Sequence, residues 1–158
     1  MKDTLTADPV HSKTLPDLVN KLLVARQGSL VLFHKLASLK PFSSAEPVQH
    51  LLQRFCQTLV DYLALGPFEV YQALEEQPLD SPYHDARKLA RQLYAHIAQT
   101  TQAALDFHDR YDGGLSSAAL AELDGELSRL GEQLAERIAL EDRIIAAVRN
   151  GDGSRAAA

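Results

Sequence analysis

Histidine offers the first opening for chemistry, because six are present: His11, His34, His50, His84, His96 and His108. A carboxylate-bridged di-metal centre in a helical protein needs inward Glu-x-x-His pairs, and no glutamate here is followed by histidine three residues later. Neither His-Glu-x-x-His nor a cysteine–histidine cluster occurs. His84-Asp85 and His108-Asp109 are adjacent pairs whose side chains diverge on a helix. His34-Lys35 and His96 lack the His-x-x-Lys-Gly surroundings of a phosphotransfer histidine. Phosphate-loop, dinucleotide and Gly-x-Ser-x-Gly patterns are missing too. Cys56, the one cysteine, lies among Phe55, Leu59 and Val60, where a packed thiol is expected rather than a nucleophile. The expectation is a protein without catalytic residues, metal or cofactor.

Two polar features remain. Asp61 shares a narrow polar face with His50, Arg54 and Gln57 on a segment otherwise apolar over most of its circumference. A solvated surface carboxylate is the plain reading. Its neighbours Tyr62 and Leu65 and the following Gly66-Pro67 raise the other: an anion among apolar groups suits a protein-binding patch that engages an arginine. Arg137 and Glu141, at i and i+4, can pair. They are expected to form a structural polar pair, with a polar feature used by a partner as the alternative. Continuing the heptad seam puts Arg137, Glu141, Ile144 and Val148 inward. A 3.6-residue period would instead turn Ile138 and Ile145 inward and move the pair to the rim.

The elements that must position these residues are helices. Thr14, Pro16 and Asp17 form a helix start, and Leu15, Leu18, Leu22, Ala25, Phe33 and Leu36 keep helical spacing, predicting a helix over 15–38 in which Gly28-Ser29 allows a local bend. Lys40-Pro41 ends it. Val48, Leu52, Phe55, Leu59 and Tyr62, widened by Leu51, Cys56, Val60 and Leu63, predict a second helix over 46–65 touching two neighbours and broken by Gly66-Pro67. A short amphipathic element over 68–76 follows. Ser81-Pro82 then opens a long helix over 82–111, weakened in its stripe by Thr100-Thr101-Gln102 and stopped by Asp112-Gly113-Gly114. Ser116 or Ser117 caps a last helix over 117–149, with the seam Leu120, Leu123, Leu127, Leu130, Leu134 and an end at Asn150-Gly151. The fold class expected is all-α: an elongated antiparallel four-helix bundle with an additional short helix. It forms one domain over 1–158, with a flexible arm at 1–13 and a frayed tail at 150–158.

Composition agrees. Apolar residues make up 46% and aromatics 6% with no tryptophan, so Leu, Ile, Val and Ala must fill the core. A net charge of −5 disfavours direct binding to nucleic acid and favours a basic protein partner. The polar first residues, the absence of any apolar run of about 20 and the lone cysteine lead to the expectation of a cytoplasmic chain that does not contact a membrane.

Phe55-Cys56-Gln57-Thr58-Leu59-Val60-Asp61-Tyr62-Leu63, then Gly66, Phe68, Glu69 and Tyr71, resemble the Rsd/AlgQ family of anti-sigma regulators. So do 137–145, Arg-Ile-Ala-Leu-Glu-Asp-Arg-Ile-Ile, and more loosely Leu18-Val19, Leu23, Arg26 and Lys40-Pro41; together these span about residues 15–148. The resemblance implies a helical bundle that binds region 4 of the primary sigma factor, hinders its association with core RNA polymerase and the −35 element, and thereby favours alternative sigma factors. It assigns sigma contact to the aspartate matching Asp61. Around it, Tyr62, Leu65, Phe68, Asn20 and Leu22 are the partner-binding set expected here. The family often has histidine at the position of Pro67 and Asp-Arg-Trp where this chain has Asn20-Lys21-Leu22. A helical scaffold or adaptor for other signalling or metabolic proteins is the alternative, and a monomer is favoured.

Overall fold

The computed structural model describes residues 14–157, so the arm predicted at 1–13 lies outside the described residues. Helix α1, Leu15–Ala37, starts as its sequence demands: the Thr14 hydroxyl accepts from the Asp17 amide at 3.3 Å, and proline occupies the first turn. It runs unbroken through Gly28-Ser29. Ser29 is buried and donates to the Thr58 carbonyl at 3.4 Å, so the small residues serve to bring two helices together.

Helix α2, Ala45–Leu65, buries Val48, Leu52, Phe55, Cys56, Leu59, Tyr62 and Leu63, the broad arc expected of a segment with two neighbours. Gly66-Pro67 does not break it. The chain continues through a π turn, Gly66–Val70, directly into the short helix α3, Tyr71–Glu75. Proline lacks the amide that a tight helical turn would use, and the wider turn closes instead by the Tyr71 amide donating to the Gly66 carbonyl. Glycine is required at 66 for space: a Cβ there would lie 2.9 Å from Cε2 of Tyr71.

Helix α4, His84–Tyr111, begins two residues later than predicted. The Ser81 hydroxyl accepts from the Tyr83 amide at 3.0 Å and donates to Gln77 at 2.9 Å, making a turn before the helix rather than its cap. Gly114 carries the chain out of the following bend at φ +123°. Helix α5, Ser117–Ala157, has 41 residues and extends about 60 Å at 1.5 Å per residue.

The helices form a ring, α1 against α2, α2 against α4, α4 against α5 and α5 against α1. No strand occurs among the described residues. The centre holds an aromatic chain. Phe33 of α1 meets Phe55 of α2 edge-on at 5.9 Å, Phe55 meets Phe107 of α4 at 6.0 Å, and Phe107 meets Tyr111 at 4.7 Å.

The helix end expected at Asn150 is corrected by the packing. Residues 150–157 stay helical, Gly151 is buried, and the Tyr83 hydroxyl bonds the Asp152 carboxylate. A Cβ at Gly151 would sit 2.7 Å from the Pro82 carbonyl and 2.8 Å from the Tyr83 ring, so glycine here permits contact between helices instead of ending one. Gly151→Ala is therefore expected to lift the last turns off α4 at a cost of about 1–3 kcal/mol. Amide exchange of residues 148–153 should accelerate, and unchanged protection would refute the contact.

Candidate functional site

Two polar groupings meet where α1, α2 and α5 converge, one inside and one outside. Inside, Arg137 and Glu141 are fully buried and joined Nε to Oε2 at 3.1 Å, as the heptad seam predicts. Ile144 and Val148 continue it inward, Ile145 is buried beside them, and Ile138 is half-buried. Arg137 Nη1 donates to Thr101 at 2.6 Å and Thr100 at 3.2 Å. The Tyr62 hydroxyl donates to Glu141 at 2.5 Å, and Arg26 of α1 reaches Glu141 at 3.4 Å and Asp142 at 2.8 Å. The Arg137 guanidinium also lies over the Tyr62 ring, 5.3 Å from its centroid, while its Nη2 has no hydrogen-bond partner. Burial foremost, then the Glu141 charge, pushes the Tyr62 phenol far above its ordinary range, so it remains a donor. Helices α1 and α2 are thus tied to one buried carboxylate of α5, and α4 to the arginine paired with it.

This grouping shows what pattern reading missed. Thr100 and Thr101 look like flaws in an apolar stripe, yet they are hydroxyl acceptors for Arg137 on the facing helix. Two adjacent threonines interrupting a buried stripe opposite a buried arginine are the available signal. Arg26, which closes the network from α1, has no local pattern that marks it.

Outside, α2 carries Asp61 exposed to solvent, with Gln57 Nε2 3.5 Å from its carboxylate. Leu65 is half-buried and Phe68, on the π turn, is 76% exposed. Asn20 is exposed on α1, and Lys21 beside it reaches across to Glu69 at 3.0 Å, fastening this part of α1 to the π turn. Asp61, Leu65, Phe68 and Asn20 therefore lie on accessible surface. Tyr62 and Leu22 do not. Each is 1% exposed in this structure, Tyr62 committed to Glu141 and Leu22 to the core, so neither offers a free surface for the direct contact expected of it. They support the surface from beneath.

Cys56 is wholly buried, and burial, with the Asp112 charge second, pushes its thiol up to about 12, so it is an inert packing group. Among the described residues no three His, Cys, Asp or Glu side chains group as a metal site, and no helix is long and apolar enough to cross a membrane.

Comparison with known proteins shows the family. The family described as regulator of RNA polymerase sigma(70) subunit, Rsd/AlgQ, matches residues 8–149. The chain is similar to a protein named regulator of sigma D from Enterobacter sp. (strain 638), 35% identical over 133 residues, covering 82% of this chain and 78% of that one. Proteins of the same name from Yersinia enterocolitica (31% over 132 residues, 82% and 78% covered) and Pectobacterium atrosepticum (32% over 133 residues, 81% and 85% covered) are similarly related. No solved structure gives a significant match. With a helical bundle, a buried Arg137–Glu141 pair on the last helix and an exposed Asp61 on the second, the chain belongs to the Rsd/AlgQ family of regulators of the RNA polymerase sigma(70) subunit.

Proposed function

We propose that this chain binds region 4 of the primary sigma factor and thereby keeps it from core RNA polymerase and the −35 element. It acts in the cytoplasm as a monomer, by competitive binding and not by catalysis. The observation that carries the reading is the exposed Asp61 carboxylate, followed at i+4 and i+7 by the half-buried Leu65 and the exposed Phe68. Region 4 reads DNA and is basic, and a carboxylate next to an aromatic anchor suits an arginine from such a surface. The acidic balance of the chain, −5, favours the encounter.

Calorimetric titration of the chain with isolated region 4, and competition with core polymerase for whole sigma factor, test the proposal. Asp61→Ala is expected to weaken region 4 binding about tenfold, equivalent to about 1.4 kcal/mol, and to raise the dissociation rate. Its melting temperature should stay unchanged, because the carboxylate is solvated in the free protein. Full affinity in the variant would remove Asp61 from the interface. Failure of the unaltered chain to bind region 4 would sink the proposal as a whole.

A further inference from the structure

An acidic protein carries here a cationic face on α4. His84, Arg87, Lys88 and Arg91 fall at i, i+3, i+4 and i+7 on α4, and with Gln92 they line a groove of about 480 Å³. Arg87 and Arg91 also line an adjoining groove of about 530 Å³, whose other walls include Pro67, Phe68, Leu74, Ala90 and Tyr94. The two grooves therefore meet at the arginines, one polar and one aromatic. Tyr94 is 60% exposed and Phe68 76%, so their rings are open to a flat ligand.

Arg87 is the second, independent observation. It is 5% exposed, yet no carboxylate among the described residues lies within ion-pair distance of its guanidinium. Nη1 donates to the Gln77 carbonyl at 2.6 Å, and Nη2 lies 3.4 Å from His84 Nδ1. A guanidinium only donates, so neither contact supplies Arg87 with a negative charge. The nearby Glu75 is already held in a two-pronged contact by Arg91, at 2.6 Å and 2.8 Å. Arg87 and Lys88 thus keep their charge beside the positive end of the α4 dipole. A buried cation whose neighbouring carboxylate, Glu75, is already held by Arg91 favours an incoming anion.

We propose that the joined grooves bind a phosphate-bearing aromatic small molecule of the nucleotide class. Its phosphates lie along His84, Arg87, Lys88 and Arg91, and its ring packs on Tyr94. A lone carboxylate is too short for this face: residues 84–91 extend about 10 Å along the helix, which calls for more than one anionic group. The aromatic half supplies stacking, about 1–3 kcal/mol for a base on an aromatic side chain. The proposal rests on α4 and does not depend on the sigma reading, although Phe68 borders both surfaces.

The test titrates the full chain, at low ionic strength and without added magnesium, with ATP, with inorganic triphosphate and with a short oligothymidylate. ATP is expected to bind about tenfold more tightly than triphosphate, the difference being the stacked ring. Lys88→Glu should weaken both at least tenfold by reversing a charge, and Tyr94→Ala should bring ATP down to the level of triphosphate. Both side chains are exposed, so circular dichroism and melting temperature should match the unaltered protein. No binding of ATP, an unaltered affinity in Lys88→Glu, or equal affinities for ATP and triphosphate would overturn the proposal. Tighter binding of the oligonucleotide than of ATP would also overturn it, in favour of single-stranded nucleic acid.

Discussion

Arg137→Ala is expected to destabilise the bundle by about 3–5 kcal/mol, enough to lower the melting temperature by about 10 °C in a chain of this size. Glu141 is fully buried, and its nearest charge partner is Arg137. Removing the guanidinium leaves a carboxylate in a low-dielectric interior, where desolvation costs several kcal/mol. Partial relief comes from Arg26 at 3.4 Å and from the Tyr62 hydroxyl at 2.5 Å, which holds the effect toward the lower half of that range. Thr100 and Thr101 also lose their common donor. Arg137→Met combined with Glu141→Leu should cost far less than the two single changes together, because no unpaired charge remains. A double-mutant cycle by urea denaturation measures this, with a coupling of about 2 kcal/mol or more expected. Additive losses would mean that the two residues do not act as a pair.

Phe55→Ala is expected to cost about 3–5 kcal/mol by a different route. Phe55 is 0% exposed and its ring is the middle member of the aromatic chain, touching Phe33 and Phe107 on two other helices. Truncation leaves a cavity between three helices and removes two edge-on contacts, each about 0.5–1.5 kcal/mol beyond the area they bury. Phe55→Leu keeps most of the volume and should cost about half as much. Urea midpoints with an unchanged slope would assign the loss to the folded state. A loss below about 1 kcal/mol in Phe55→Ala would show that α1, α2 and α4 are not joined through this ring.

The two changes probe different readabilities of the sequence. Phe55 announces itself: it falls on the apolar stripe of a segment whose wide arc already requires two neighbours, and burial follows from helical spacing alone. Arg137 and Glu141 were legible as a pair by their i, i+4 spacing, but two periodicities competed over which side they face. The facing helix settled the matter, because Thr100 and Thr101 provide hydroxyls where an apolar wall would exclude a guanidinium. Tyr62 illustrates the same limit at the surface. Beside an exposed Asp61 it looks like a contact residue, and only the position of Glu141, 79 residues away, draws its hydroxyl inward.

Helix breakers were the other source of error. Gly66-Pro67 and Asn150-Gly151 carry strong local stop signals, yet one is a π turn and the other lies within a helix that runs to Ala157. In each case a tyrosine packed close to the glycine, Tyr71 at 66 and Tyr83 at 151, explains the absence of a side chain. A glycine kept for space has the same letter as a glycine kept for a turn.

By itself the sequence determined the all-helical class, the positions of the long helices, their apolar faces and the solvent exposure of Asp61, because these follow from spacing along one chain segment. Only the tertiary structure decided the burial of Tyr62 and Leu22, the closure of the Arg137–Glu141 network by Arg26, Thr100 and Thr101, and the continuity of the helices through Gly66 and Gly151. Those outcomes depend on the group a facing helix presents across the core, and periodicity within one helix carries no information about its neighbour's register.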